Sequence, residues 1–259
     1  MTDSCNEQIL GYPVITSVLD DCLAAIITDM KKEDRQCWLV CLNPHSYAVS
    51  LKDNSFSQAL HAADWVIPDG AGIVLASRMY RGEIRQRITG SDVFYALNSK
   101  MNELGGFSVF FLGSTSENLA DIKARMAKDF PNIRFAGSYS PPYRTEFNEG
   151  EVEAMVAAIN FAKPDVLWVG MTAPKQEKLI HQHLSRMNVR FAAAVGAVFD
   201  FYTGKIKRSH PLFQRYGLEW LPRLLQEPRR LWRRNFISTP IFLWHVICRK
   251  NLRTSQRHY

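Results

Sequence analysis

The sequence predicts an α/β fold, an open and mostly parallel sheet with helices on both faces, followed by a basic helical C-terminal appendage. Three observations carry this. Three stretches repeat one layout of apolar run, short polar loop, helical pattern and second apolar run, which is how βαβ units feeding a parallel sheet read. With 259 residues, 46% of them hydrophobic, the chain suffices for one substantial core. Charge is also uneven: from Lys205 onward 13 Lys and Arg face only Glu219 and Glu227, while the rest holds 19 bases and 23 acids.

The first unit runs from Cys37–Leu42 through a helix after Pro44 to the strand Asp64–Ile67. Gly72–Tyr80 and Ser91–Leu104 then read as helices, the second opened by Ser91-Asp92 with Ser91 as its N-cap. The second unit runs from Phe107–Leu112 through a helix over Ser116–Lys128 to Ile133–Ala136. In the third, Val166–Val169 is followed by a helix over Pro174–Met187 and by Val189–Val195. The units share architecture without residue identity, so they are not a sequence repeat. Right-handed crossovers bring all the strands' carboxyl ends to one edge, where Rossmann-like sheets bind ligands. The loops at that edge are Asn43-Pro44-His45, Pro68-Asp69-Gly70, Gly113-Ser114-Thr115, Gly170–Gln176 and Gly196–Asp200.

From about His210 the pattern changes to Arg-, Trp- and Leu-rich segments broken by Pro211, Pro222, Pro228 and Pro240, dividing the chain into a catalytic body over 1–209 and an appendage over 210–259. The nearly uncharged run Phe236–Cys248 is too short to span a bilayer and suits an interfacial helix, a docking face or an amphipathic helix packed on its own domain. A cationic tail on a mildly acidic body implies a polyanionic partner, either anionic lipid or nucleic acid. Five cysteines without a CxxC pair, and an N-terminus without a basic and apolar leader, point to a reducing cytoplasm.

The loops offer chemistry of several kinds. Gly113-Ser114-Thr115, between an apolar strand and a helix, presents backbone N–H groups to a phosphate or simply makes a tight turn. Asp69 follows its strand directly, which suits a general base, although Pro-Asp-Gly is also ordinary turn chemistry. Arg85 and Arg87 are either cations for a diphosphate or a solvated cluster. No GxGxxG or GxxxxGK[ST] loop is present, nor any Asp-x-Asp for a metal-bridged nucleotide sugar. His45, His61, His181, His183 and His210 are scattered, with His181 and His183 on different helix faces, and assemble neither a zinc site nor a triad.

Taken together, the loops resemble those of the WecG/TagA/CpsF group of bacterial glycosyltransferases. The resemblance spans about Trp38 to Phe236 and rests on seven motifs in order. They are Asn43, Ala63-Asp64-x-x-x-Pro68-Asp69-Gly70, Arg87-x-Thr89-Gly90-Ser91-Asp92, Phe111-Leu112-Gly113, Gly170-x-x-x-Pro174-Lys175-Gln176-Glu177, Gly196-x-x-Phe199-Asp200-Phe201-x-x-Gly204, and Gly217-Leu218-Glu219-Trp220-x-x-Arg223-Leu224-x-x-Glu227-Pro228-x-Arg230.

The resemblance implies a UDP-sugar donor, a polyprenyl-diphosphate-linked acceptor, inversion at the anomeric carbon, and neither metal nor other cofactor. The setting would be exopolysaccharide, enterobacterial-type antigen or teichoic acid linkage synthesis. Asp69 is then the base that takes the acceptor hydroxyl's proton, and Arg87, with Arg230 or Arg233 from the tail, offsets charge on the departing diphosphate. Asn43 and Gln176 orient sugar or acceptor, Asp200 accepts from the uracil N–H, and Gly113 and Arg223 join the substrate-binding set. Cys41 departs from the group, whose members usually carry Thr there, and puts a weak thiol donor where a hydroxyl would touch substrate.

The tail would hold the crevice against an anionic membrane at the inner face of the bacterial plasma membrane. Its removal from about Leu212 onward is therefore expected to leave the body folded. A homo-oligomer stays open. Two rivals are a nucleic-acid-binding α/β protein, which has little use for Asp69 and Asp200 in a crevice, and a nucleotide-sugar epimerase or dehydrogenase, which would need a dinucleotide site. No nucleic-acid partner is expected.

Overall fold

A computed structural model describes residues 6–32, 35–206, 232 and 234–255. A hairpin, β1 (Asn6–Ile9) and β2 (Tyr12–Ile15), opens it. Its two-residue turn needs positive φ at both positions, met by Leu10 at 51° and Gly11 at 100°. Helix α1 (Leu19–Met30) leads to β3 (Cys37–Leu42), α2 (Pro44–Ser50), α3 (Asn54–Ala62), β4 (Trp65–Pro68), α4 (Ala71–Met79) and α5 (Gly90–Leu104). Then come β5 (Ser108–Gly113), α6 (Ser116–Asp129), β6 (Arg134–Tyr139), α7 (Glu149–Ala162), β7 (Val166–Gly170), α8 (Lys175–His183) with a 3₁₀ turn at Leu184–Arg186, β8 (Phe191–Ala194) and α9 (Val198–Thr203). A π-turn at Arg234–Ser238 leads into the last described helix, Thr239–Ser255, called α10 here.

Six strands form one sheet in the order β4-β3-β8-β7-β5-β6, with every neighbouring pair parallel. A parallel sheet is covered on both faces, and period-two alternation sorts each strand's side chains between two cores. Trp38, Val40 and Leu42 of β3, Phe110 and Leu112 of β5, and Leu167 and Val169 of β7 enter one core with residues of α2, α3, α4, α7 and α8. Cys37 and Leu39, Val109 and Phe111, and Val166 and Trp168 enter the other with residues of α1, α5, α6 and α9. The predicted α/β architecture is thus the observed one, with refinements set by capping chemistry. The helix expected after Pro44 is two, because Asp53 starts α3 by accepting from the Phe56 N–H at 3.0 Å. Helix α5 is capped by Thr89 rather than Ser91: Thr89 and Asp92 exchange bonds in a capping box, and Ser91 lies inside the helix.

The described part of the C-terminal appendage is helical and packs on the body. Helix α10 packs on α2 and α4, and Phe242 and Val246 are wholly buried in the first core. Its other side exposes Trp244 and Ile247, while Phe236 and Ile237 of the π-turn and Trp232 are exposed as well. The expectation that the body stays folded once everything from Leu212 is removed conflicts with this packing, since the cut strips core side chains along with the tail. Leu218, Leu221, Leu224 and Leu225, which recur at helical spacing in the sequence, lie outside the described residues, as do Arg223, Arg230 and Arg233.

Candidate active site

The parallel sheet directs the carboxyl ends of β3, β4, β5, β7 and β8 to one edge, and the helices that follow decide where that edge opens. Helix α6 leaves β5 toward the second core while α8 leaves β7 toward the first, so adjacent strands part their loops to opposite faces and leave a crevice. Here β5 and β7 end in the paired glycines Gly113 and Gly170. A Cβ on Gly113, at φ +113°, would lie 2.5 Å from the Gly170 carbonyl oxygen, and one on Gly170 would lie 2.4 Å from the Phe199 ring. Glycine at 113 lets the two backbones close on each other, and glycine at 170 leaves room for the Phe199 ring.

At the β3–β4 end the structure brings Asn43 and Asp69 together. Asn43 caps α2: its Oδ1 accepts from the N–H of His45 at 3.0 Å and of Ser46 at 2.9 Å, and Ser46 Oγ accepts in turn from the Asn43 N–H. With the amide oxygen so occupied, Nδ2 is the half that faces Asp69, donating to Oδ2 at 3.1 Å. Asp69 is half-buried, and its backbone N–H donates to Leu42 and Ile67 carbonyls. Gly70, at φ +113°, turns the chain from β4 into α4. Asp69 thus stands as a carboxylate aimed by a neutral amide donor, a group able to receive a proton.

Arg87 lies in the loop between α4 and α5 and is half-buried. The N–H of its neighbour Ile88 donates to the Pro68 carbonyl at 3.0 Å, stitching this loop to the residue before Asp69. Arg85, by contrast, is exposed and donates to the Gly82 carbonyl of its own turn. Cys41 is half-buried, with its thiol donating to the Ala194 carbonyl at 3.8 Å. A Cβ on Gly90 would lie 3.4 Å from that sulfur, so Gly90 leaves room for the thiol beside the start of α5.

Gln176 is 4% exposed, and its side chain is engaged by protein groups. Its Oε1 accepts from the N–H of Met171 at 3.2 Å and of Gly196 at 3.0 Å, clasping the β7 and β8 loops, and Nε2 donates to Glu177 at 2.9 Å. The geometry therefore shows a loop clasp where the sequence suggested a group orienting sugar or acceptor. Asp200 stands on α9, a short helix that takes up part of the expected Gly196–Asp200 loop. Its Oδ1 accepts from Asn118 Nδ2 at 3.1 Å, and the same amide donates to Ser114 Oγ at 2.9 Å while its oxygen accepts from Thr203. Asn118 thereby joins the glycine loop to Asp200, a role sequence reasoning missed. The signal was present, since Asn118 is a polar residue on the buried stripe Leu119, Ile122 and Met126 of α6.

His181 stacks on Trp38 and His183 meets Arg186, as befits satisfied histidines. Among the described residues no group of three or more His, Cys, Asp or Glu is placed to hold a metal ion.

Glu177 belongs to the Gly170–Glu177 motif, and its carboxyl is buried beside the crevice loops. Burial pushes it up from its ordinary 4.5 to about 7, and Oε2 has no hydrogen-bond partner among the described residues. Between these values the folded chain holds a proton that the unfolded chain has lost, so the contribution is fully present below the lower value and is lost as pH rises through the higher one. At about 1.4 kcal/mol per unit this is about 3 kcal/mol of pH-dependent stability. Glu177→Gln is therefore expected to melt above the parent at pH 8 and to match it near pH 4.5. Denaturant midpoints across that range check this; equal pH slopes would show that Glu177 does not titrate there.

Comparison with known proteins gives the family. The chain is 31% identical over 246 residues to the N-acetylglucosaminyldiphosphoundecaprenol N-acetyl-beta-D-mannosaminyltransferase of Bacillus spizizenii (strain ATCC 23059 / NRRL B-14472 / W23), covering 95% of this chain and 91% of that protein. It is 30% identical over 207 residues to the protein of the same name from Bacillus subtilis (strain 168), covering 80% and 77%. For Staphylococcus aureus (strain MW2) the identity is 27% over 209 residues, covering 81% and 79%. The profile of one family matches residues 7–257, nearly the whole length and every element that builds the crevice. The chain is a glycosyltransferase, and it belongs to the glycosyl transferase WecG/TagA/CpsF family.

Proposed function

We propose that this enzyme moves a sugar from UDP to a polyprenyl-diphosphate-linked glycan with inversion and without a metal ion. The observation that carries the reading is the Asn43-held Asp69 carboxylate at the rim of the β-sheet crevice. The acceptor hydroxyl oxygen attacks the anomeric carbon from the face opposite UDP and gives its proton to Asp69. The bond from that carbon to the UDP oxygen breaks, and UDP leaves with the electron pair. Arg87, with Arg230 or Arg233 from the tail, offsets the charge growing on the diphosphate. The Gly113 turn and the start of α6 offer N–H groups to a phosphate, Asp200 accepts from the uracil N–H, and Gln176 keeps the intervening loops in register. Cys41 and Arg223 complete the binding set.

The relatives' names supply the substrates to try first, an N-acetylmannosamine donor and an N-acetylglucosaminyl-diphosphoundecaprenol acceptor. Such an acceptor resides in a membrane. No described helix is long and apolar enough to cross one, and the exposed Trp232, Phe236, Ile237, Trp244 and Ile247 beside a basic tail support peripheral docking on an anionic inner leaflet.

The test is incubation with a panel of UDP-sugars and a synthetic polyprenyl-diphosphate glycoside, with mass spectrometry of the lipid. A mass gain of one sugar that persists in EDTA is expected. Loss of turnover in EDTA, restored by magnesium or manganese, would remove the metal-free reading. Hydrolysis of the donor with no gain on any lipid would remove the transfer to lipid.

A further inference from the structure

The histidines lie outside the proposed chemistry, yet one of them links the C-terminal segment to the candidate base. His45 Nδ1 and Ser238 Oγ share a hydrogen bond at 3.0 Å across 193 residues of chain. The backbone N–H of the same His45 donates to Asn43 Oδ1 at 3.0 Å, and Asn43 Nδ2 donates to Asp69 Oδ2 at 3.1 Å. Three hydrogen bonds therefore lead from the C-terminal π-turn to the carboxylate. Further along α2, the Tyr47 hydroxyl meets His245 Nδ1 at 2.6 Å, and the Phe242 ring stands edge-on to Tyr47 at 5.5 Å. The start of α2 is thus gripped at two points by the C-terminal segment.

We infer that His45 is a positioning residue that acts through Asn43 on Asp69, so that seating of the C-terminal segment aims the base. This rests on the reading of Asp69 as the base. A carboxylate can rotate about its Cβ–Cγ bond, and proton transfer needs one of its oxygens within hydrogen-bond reach of the acceptor hydroxyl. Asn43 restrains that rotation only while its own amide is held by the start of α2, and the His45 ring ties that start to Ser238. Ser238 is 6% exposed yet directly follows the exposed Phe236 and Ile237. A lipid surface that receives those two side chains bears on Ser238, and through His45 on the base.

The full-length chain carrying His45→Ala, His45→Gln, Ser238→Ala or both Ala changes tests this in the lipid-acceptor assay, with UDP affinity by calorimetry and melting temperature alongside. His45→Ala is expected to lower kcat about tenfold or more, as a misaimed reacting group does, with the donor KM and UDP affinity within about twofold. His45→Gln, whose amide can still bond Ser238, recovers part of the loss. Ser238→Ala reproduces it, and the double variant is no worse than either single one, the signature of a shared link. Wild-type kcat in His45→Ala would overturn the inference. So would losses that multiply in the double variant or that follow the melting temperature across all four. Asp69→Asn in the same assay separates the two claims: full turnover there sinks the base itself, whereas an inactive Asp69→Asn beside an unaffected His45→Ala sinks only the link.

Discussion

Asp69→Asn is expected to lower kcat by about 10²–10⁴-fold, the usual contribution of a positioned general base. The substitution keeps the size and shape of the side chain. The amide so introduced can turn its oxygen toward Asn43 Nδ2, so the bond now made at 3.1 Å still has an acceptor and the crevice keeps its geometry. What disappears is a group able to take the hydroxyl's proton. Donor KM, UDP affinity and melting temperature should therefore stay near the parent values while turnover falls. Unchanged turnover would exclude the base role. A crystal soaked with UDP that placed the nucleotide on another face, away from Asp69, would exclude the whole site.

Phe242→Ala is expected to destabilise the fold by about 3–5 kcal/mol, the range for truncating a buried aromatic ring. Phe242 is wholly buried, lies against Tyr47 and faces Gly72, where even a Cβ would come within 3.6 Å of its ring. Trp244, two residues on, is 66% exposed, so Trp244→Ala should change stability by no more than about 0.5 kcal/mol. Its effect should appear instead in sedimentation with anionic liposomes, where an interfacial indole contributes to binding. Urea titrations of the two variants check the contrast. Equal, small losses would mean that α10 is an accessory after all, and that the chain can be cut at Leu212 without harm to the body.

The contrast between those neighbours shows what kind of information a run of residues holds. Phe236–Cys248 reads as apolar and too short to span a bilayer, and both statements hold without any structure. Which side chains face inward does not follow, because both sides of the helix are apolar and its partners, Tyr47 and Tyr80, are 198 and 166 residues away in sequence. The same distinction runs through the crevice. Asn43, Asp69, Gly113 and Asp200 were legible because each stands at the carboxyl end of a strand or within a few residues after it, and that placement is local. The partners that set their orientation were not: Asn118 reaches Asp200 across 82 residues and His45 reaches Ser238 across 193.

By itself the sequence determined the sheet, the edge at which its loops gather and the residue types available there. Strand alternation, helix caps and glycine turns are set by backbone geometry over a few residues. Only the tertiary structure decided that Gln176 clasps two loops, that the Glu177 carboxyl is buried with one oxygen unmet among the described residues, and that the C-terminal helix belongs to the core while packing on α2 and α4. Those assignments depend on which groups meet after strands far apart in the chain pair, and a hydrogen bond or a desolvated carboxyl has no local signature until its surroundings close around it.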